Sequence, residues 1–301
     1  MSMRVATVAL NETMMRAALR VQAQEAEATL QQASGLVSTS LSGYGASAGR
    51  IVDLQSSLSR AAAYESAATE ADTRVEVMYT AVGSMIDAMT DFKADLANFS
   101  TTLTDSGRAG LAAEAQSVLE TMASLLDTDF EGRYLFSGSA TATAPIDLDA
   151  ITAHAAPSTA DTSWYAGDDT LAATRVDDDR TVTWGATASE EGFEKAIRAL
   201  AMLAAGNTED ADLEEAATLV GEAIDAMTTT RSRLSLAAGT LEAVASDQED
   251  YQSFVSGLLT DTTSVDVAEV SVRLTTLQTQ LQATYSAIGT IQNLSLSDYL
   301  K

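Results

Sequence analysis

The sequence predicts a mainly α-helical protein: long antiparallel, coiled-coil-like helical rods with paired terminal helices and a small β-rich inserted domain at the tip. Three observations support this prediction. Apolar residues recur every three or four positions through most of the chain, which is typical of amphipathic helices. The only two prolines, Pro145 and Pro157, fall together near the middle. Aromatic residues make up only 5% of the chain, which favours helix-on-helix packing through small side chains.

The first half of the chain contains three predicted helices. The N-terminal helix, whose apolar stripe extends to Val37, is expected to stop at the glycine-rich stretch SGYGASAG, residues 42–49. A helix over 50–103 would be about 80 Å long at ~1.5 Å per residue, which suits a coiled-coil rod. TDSG at 104–107 is expected to interrupt it, and a shorter helix is expected over 109–128.

The middle of the chain has the character of β structure. FEGRYLFSG, residues 130–138, is short, aromatic and flanked by glycines, so it predicts a hairpin. LAATRVDDDRTVTWG, residues 171–185, predicts two strands around an acidic turn, because Val182 alternates with polar neighbours. We expect Trp164 and Trp184 to form a small core within this insertion.

Helices return in the second half. Ser189 is the expected N-cap of the next helix, because two acidic residues follow it in the first turn. A further long helix is expected after GNTEDAD and should break at TDTTS, residues 260–264. Asp266 and Glu269 are spaced like a capping box, which predicts that the last helix begins there.

The last helix carries the most regular heptads and the least charge. Nine positions from 267 to 295 alternate spacings of three and four, and seven of them are apolar. The 24 residues 274–297 carry no charge, although the chain has a formal net charge of −26. A solvated coiled coil normally carries charged residues beside its seam. The pattern therefore predicts a helix enclosed by neighbouring subunits, with an ordinary intramolecular helical hairpin as the alternative.

The order of elements is palindromic and predicts three regions. Residues 1–42 with 264–301 form a terminal helical domain, 43–138 with 189–263 a helical rod domain, and 139–188 a small β-rich outer domain. The terminal helices should carry the assembly interface through their apolar stripes. The residues assigned to this interface are Val5, Val8, Met15, Leu19, Val267, Val270, Leu274, Leu277, Leu281, Ile288, Ile291 and Leu294.

Composition excludes several classes of function. The chain has no cysteine and a single histidine, His154, so thiolate chemistry is excluded and imidazole chemistry is nearly so. The acidic excess argues against binding to nucleic acid or to anionic membranes. The DDD run at 177–179 lacks the alternating carboxylates and turn glycine of a calcium loop. We therefore predict no metal, no cofactor and no enzyme activity, with an enzyme housed in the insertion as a minor alternative.

The neutral tail and the N-terminus do not match membrane or secretion signals. Of the 24 residues at 274–297, 13 are Thr, Gln, Ser or Asn, which a lipid-facing helix would not carry. The opening sequence MSMRVATVALNETMM lacks the apolar core and cleavage pattern of a secretory signal. The expectation is no membrane insertion and no cleaved signal.

The same residues, in this order, resemble the flagellin superfamily and, within it, the hook-associated protein 3 family of hook–filament junction proteins. MRVATVALNETM from Met3 resembles that family's opening, and the tail LQATYSAIGTIQNLSLSDYL, residues 281–300, resembles its C-terminal helix. The central motif resembles the family's Gly-basic-Tyr-Leu-Phe-small-Gly hairpin. Its residues here are Gly132, Arg133, Tyr134, Leu135, Phe136 and Gly138.

The resemblance implies a structural adaptor of the bacterial flagellum. Such a protein would self-assemble as a ring at the hook–filament junction and template flagellin polymerisation. Its implied partners are its own copies, the preceding hook-associated junction protein, flagellin and a flagellar export chaperone. The implied location is extracellular, in the flagellum, after export through the flagellar type III apparatus. A divergent filament flagellin is the alternative.

Overall fold

A computed structural model describes the backbone of residues 2–99 and 104–299, and the side chains of residues 9–98 and 104–290. The described chain is mainly helical, as predicted. The helices are α1 (Ser2–Ser34), α2 (Ala48–Phe99), α3 (Asp105–Leu126), α4 (Glu191–Ala204), α5 (Asp210–Thr263) and α6 (Val267–Tyr299). The strands are β1 (Asp129–Phe130), β2 (Arg133–Tyr134), β3 (Ala172–Arg175) and β4 (Thr181–Trp184). Short 3₁₀ helices occupy Leu41–Ser47 and Leu148–Ala150.

Contacts divide the chain into two compact units. One comprises residues 1–59 and 252–301, and the other comprises residues 60–251. Helices α2 and α5 contribute residues to both units. The division into three regions stays a prediction.

The first helix ends earlier than predicted. Helix α1 stops at Ser34, and Gly35 follows with φ +71°, a left-handed conformation that glycine adopts without a steric penalty. Val37 therefore lies outside the helix, where its N–H donates to the carbonyl of Thr263 at 2.8 Å. The N–H of Val265 donates to the carbonyl of Gly35 at 2.9 Å. These two bonds tie the residues that follow α1 to the connection between α5 and α6, a contact that the glycines at 42–49 did not indicate.

Three other predicted boundaries are also wrong. TDSG begins a helix instead of interrupting one, because the Thr104 hydroxyl accepts from the Gly107 N–H at 3.2 Å and caps α3. The N-cap of α4 is Glu190, and the Ser189 hydroxyl instead donates to Asp169 at 2.5 Å. Helix α5 begins inside GNTEDAD and continues to Thr263, through most of the predicted break.

The cap of α6 is confirmed. Asp266 Oδ1 accepts from the backbone N–H groups of Ala268 and Glu269, at 2.8 and 3.3 Å. These bonds satisfy two N–H groups that the first helical turn leaves without partners.

Within the unit of residues 60–251, α2 and α5 run antiparallel. The Arg231 guanidinium stacks over the Tyr79 ring at 4.4 Å, and Lys93 lies beside Gly221 further along α2 and earlier along α5. Helices α3 and α4 pack against each other in the same unit. Their shared core has Val75, Met85 and Phe92 of α2 almost completely buried. These apolar stripes match the predicted 3/4 spacing.

The β-rich insertion has no separate core. Trp164 and Trp184, expected to form one, are 2% and 9% exposed and belong to the same cluster as the helical residues. The two-stranded sheet β3–β4 is confirmed, with Val182 and Trp184 buried and Thr181 and Thr183 exposed. A two-stranded sheet cannot bury its apolar face by itself, so it packs on the helices.

The predicted hairpin is confirmed at β1–β2. Its turn is Glu131–Gly132, with φ +54° and +75°. Beyond it the chain turns inward, and Phe136 is fully buried with its ring 5.9 Å from that of Phe193 at 75°. This edge-to-face contact joins the hairpin region to α4.

Asp168 fixes the chain after the hairpin. Its carboxylate accepts from the Ser139 N–H at 3.1 Å, from the Ser139 hydroxyl and from the Thr170 N–H at 2.8 Å. The bonds from Ser139 are the main reason that the pKa of Asp168 lies well below its ordinary value. Its carbonyl accepts from the Tyr165 hydroxyl at 2.6 Å, and burial chiefly raises the pKa of Tyr165 to about 12.

Replacing Gly138 with alanine should destabilise the protein strongly. Gly138 has φ +67°, and a Cβ there would lie 2.0 Å from the Asp168 carbonyl oxygen. We expect Gly138→Ala to lower the free energy of unfolding by about 2–4 kcal/mol. The control is Gly132→Ala, where φ is +75° but no atom lies within 4 Å. That variant should lose only about 1–2 kcal/mol. Equal losses in denaturant titrations would show that the Asp168 contact is unimportant.

Replacing Asp168 with asparagine should destabilise the protein at neutral pH and not in acid. A carboxyl with a lowered pKa in the folded state stabilises folding above its unfolded-state pKa and loses that effect as pH falls through the folded-state pKa. The melting temperature of Asp168→Asn should therefore lie below that of the wild type at pH 7. The difference should shrink as pH falls below the ordinary value of 3.8. The exposed Asp149→Asn variant is the control, and a difference independent of pH would contradict the assignment.

Candidate assembly surfaces

The terminal helices pack against each other within the chain. Ala28 of α1 is buried with Val270 and Leu277 of α6, and Val21 and Leu274 pack against this cluster. The Gln32 side-chain amide donates to the Ser271 hydroxyl at 2.9 Å. Because the end of α1 lies at the start of α6, the two helices run antiparallel. Small alanine side chains on α1 allow the helices to approach closely.

The structure uses part of the predicted assembly interface inside the chain. On α6, Val270, Leu277 and Ile288 are only 6–7% exposed, and Leu274 and Leu281 are half-buried. Val270, Leu274 and Leu277 pack with α1 within the chain. The assignment of the predicted stripe to an assembly interface stays a prediction. The side chains of Val5, Val8, Ile291 and Leu294 lie outside the described residues.

On α1 the buried face differs from the predicted stripe. Ala18 and Ala28 are buried, whereas Met15 and Leu19 are 48% and 58% exposed. The two sets are separated by about 100° around the helix, which is one residue step. The prediction followed the large apolar residues and missed the alanines. The available signal was the spacing of Met14, Ala18, Val21 and Ala28, which are four, three and seven residues apart on one face of the helix.

A second apolar face of α1 is therefore exposed. Met15, Leu19 and Leu30 lie on it, and each exposes about half or more of its surface. Each would bury apolar area against a partner, at about 25 cal/mol per Å². Val267, the remaining residue of the predicted interface, is also exposed, at 46%.

Helix α6 is uncharged on every side from Leu274 to Thr290. Its outward residues include Val272, which is 69% exposed, and Tyr285, which is 49% exposed. The threonine hydroxyls on this helix donate to the carbonyl four residues earlier, at 2.7–3.0 Å. These threonines are Thr275, Thr276, Thr279, Thr284 and Thr290.

Because these threonine hydroxyls are hydrogen-bonded within the helix, burying this surface against another subunit costs less free energy. A polar group left without a hydrogen-bond partner in an interface costs about 1–3 kcal/mol. Here each hydroxyl already has a partner, so a neighbouring subunit meets satisfied hydroxyls and exposed methyl groups. Over residues 274–290, the outer side of α6 can be covered without desolvating a charge, and the threonine hydroxyls keep their hydrogen bonds.

The hairpin motif is divided between surface and core. Arg133 is exposed beside the turn, whereas Leu135 packs against the core and Phe136 lies in it. Tyr134 is half-buried. Gly132 and Gly138 supply the left-handed turns on either side. The motif therefore sets a local backbone path and carries no catalytic group.

No arrangement suited to metal chemistry is found among the described side chains. None of their His, Asp and Glu residues form a group of three or more that could hold an ion. In the acidic β3–β4 turn, Asp178 accepts from the Tyr64 hydroxyl at 2.9 Å, and this bond is the main cause of the raised pKa of Tyr64. His154 is exposed in a loop. Of the helices described, none has the length and hydropathy needed to cross a membrane.

Comparison with known proteins agrees with this architecture. The family model of the bacterial flagellin N-terminal helical region matches residues 5–141, and that of the C-terminal helical region matches residues 217–300. Together they account for well over half of the chain. No curated protein matches the sequence.

Solved structures share the fold at low sequence identity. A Vibrio parahaemolyticus protein assigned as a flagellar hook-associated protein is 19% identical, with a TM-score of 0.62; the match covers 74% of this chain and 100% of that one. FlgL of Bacillus cereus is 12% identical with a TM-score of 0.57, and the match covers 69% of this chain and 99% of that one.

The matched regions coincide with the helical arms on both sides of the β-rich segment, and the uncharged terminal helix lies within the second match. An uncharged helix with satisfied hydroxyls and an unpartnered apolar face on α1 are features of a subunit that packs against others. The chain belongs to the bacterial flagellin superfamily and is a structural component of the flagellum, not an enzyme.

Proposed function

We propose that this protein is a hook-associated adaptor that self-assembles at the hook–filament junction and templates flagellin polymerisation. The terminal pair α1–α6 is the part that neighbouring subunits enclose. One end of the assembled ring would contact the preceding hook-associated junction protein, and the other would contact flagellin. These partners follow from the hook-associated assignment and not from a contact in the structure.

The observation that carries the self-assembly proposal is the chemistry of α6. Its outer side is free of charge over residues 274–290, in a chain with net charge −26. If water surrounded this side, charged residues would cost nothing there and would improve solubility. An enclosed side must exclude them, because an unpaired buried charge costs several kcal/mol. The threonine hydroxyls also suit an enclosed side, because each is already hydrogen-bonded within the helix.

The interface proposed here is revised from the predicted seam. Val270 and Leu277 pack against Ala28 of α1, so they hold the two helices together and are not part of the contacting surface. The contacting surface consists of Met15, Leu19 and Leu30 on α1 and of the outer side of α6 around Val272 and Thr279. Val5, Val8, Ile291 and Leu294 belonged to the predicted seam, and their side chains lie outside the described residues.

Two features favour a junction adaptor over the second candidate, a divergent filament flagellin. The opening and closing sequences resemble the junction family, and the Vibrio parahaemolyticus structure compared above carries a hook-associated name. The flagellin candidate is supported by the two family models, which describe flagellin helical regions. Both candidates share the same assembly chemistry and differ in location.

The export route completes the proposal. The chain would leave the cell through the flagellar type III apparatus and reach an extracellular position in the flagellum. Before assembly, the exposed apolar face of α1 would have no partner, and an export chaperone could cover it. An exposed apolar face on a free monomer favours binding to another protein.

A single charge on the outer side of α6 should block assembly without unfolding the terminal pair. Thr279 is exposed and faces away from the buried Leu277, so aspartate there would place a charge in the subunit contact. We expect Thr279→Asp to retain wild-type helicity by circular dichroism and to abolish ordered assembly by sedimentation and electron microscopy. One desolvated charge per contact, at several kcal/mol, is enough for that loss.

The matched control is Thr218→Asp on α5. Thr218 is exposed and makes the same bond to the carbonyl four residues earlier, at 2.9 Å. It should assemble like the wild type. Normal assembly of Thr279→Asp would refute the proposed surface, and loss of assembly in both variants would show that the effect is not specific to α6.

Location in the cell separates the two candidates. Immunogold labelling of intact flagella should give one band at the end of the hook, and a knockout should make hooks without filaments while flagellin is lost to the medium. Labelling along the whole filament would instead assign the protein as a flagellin.

A further inference from the structure

The loop between the 3₁₀ helix Leu148–Ala150 and Trp164 lies on helices α4 and α5 through an unusual set of bonds. Residues 152–160, here named the latch segment, have no regular secondary structure. Its side chains are small or polar, and none of them is buried. Apolar packing therefore does not fix its position.

Carboxylates on the two helices accept from the backbone of this segment. Asp212 Oδ1 accepts from the Ala156 N–H at 2.7 Å. Glu215 accepts from the Ser158 N–H at 2.9 Å and also from the Ser158 hydroxyl. At the end of the segment, Glu194 Oε1 accepts from the Asp161 N–H at 3.1 Å. Bonds to a charged acceptor are stronger than neutral ones.

Two of these carboxylates are hidden beneath the segment. Glu194 is 5% exposed and Asp212 is 4% exposed. Glu194 also forms an ion pair with Arg198 at 3.1 Å, and the second oxygen of Asp212 accepts from the Glu209 N–H at 3.1 Å. A buried carboxylate needs such donors. The latch segment supplies some of them.

The base of the loop is held separately. The Asp147 N–H donates to the Trp164 carbonyl at 3.0 Å, and a β-bridge joins Ile146 to Tyr165. Trp164 is 2% exposed in the main core, and its indole N–H donates to the Asp161 carbonyl at 2.8 Å. The base can therefore stay closed when the latch segment moves. Compact loops with adjacent ends form a recognised class of functional segment.

We propose that residues 152–160 form a latch that opens and closes as a unit over α4 and α5, with Asp212 and Glu215 setting its closed state. Opening breaks the bonds at Ala156 and Ser158 and uncovers little apolar surface, so it proceeds without unfolding the core. In the closed state the latch covers Asp212. In the open state it leaves that carboxylate able to accept from another N–H donor.

The test is amide hydrogen exchange on the full chain, comparing wild type, Glu215→Ala and Glu214→Ala. Glu214 is the control, because it is adjacent on α5 and exposed. In the wild type the Ala156 and Ser158 amides should be protected. Glu215→Ala should speed their exchange by roughly tenfold or more, while Glu214→Ala leaves it unchanged. The Val182 amide and the Trp164 indole N–H should exchange at the wild-type rate in both variants.

Two outcomes would overturn the proposal. Unprotected Ala156 and Ser158 amides in the wild type would show that no latch is closed. Faster exchange at Val182 together with the segment would show that the loop does not move independently. If Glu215→Ala fails to fold, Ser158→Ala removes only the hydroxyl bond. Elastase should then cleave within 152–160 faster than in the wild type, and an unchanged cleavage rate would refute the latch.

Discussion

The apolar seam between α2 and α5 is the interaction on which the larger unit depends. A helix of some fifty residues cannot be held by local bonds alone, because most helical stability in proteins comes from packing of an apolar face. The antiparallel return of α5 supplies that packing between residues 60 and 251. The α2–α5 pair also provides the surface against which the other elements of this unit pack. Helices α3 and α4, the hairpin and the β3–β4 sheet all bury their apolar residues in the same cluster.

The terminal helices α1 and α6 are also held together by apolar packing, but through smaller side chains. There the contact between α1 and α6 is narrow and made with alanines, so each helix keeps a second face that is exposed. In the proposed assembly, neighbouring subunits cover these faces. The charge distribution agrees, since nearly all of the acidic excess lies between the terminal segments. Acidic side chains favour the solubility of that part of the chain, and their absence from residues 274–297 lowers the cost of burying that stretch.

In the β-rich segment, hydrogen bonds from backbone N–H groups to carboxylates take the place of a larger apolar core. Asp168 organises the chain after the hairpin, and Asp212 and Glu215 hold a loop with almost no apolar residues. An acidic chain has many such acceptors available, and here they bind backbone N–H groups more often than cations.

The sequence alone determined the helical class, the palindromic order of elements, both hairpins and the uncharged last helix, because each depends on periodicity or composition within a short segment. It did not determine where α1 ends, since one glycine with φ +71° outweighed three glycines further on. It did not identify Ala18 and Ala28 as the buried face of α1, because small residues carry little hydrophobic signal and a helix selects its face only against a partner. The tertiary structure also decided that Trp164 and Trp184 join the helical core, since a two-stranded sheet is too small to enclose them. Which apolar stripe is buried inside the chain and which stays exposed depends on the pairing of α1 with α6, and that pairing exists only in the folded chain.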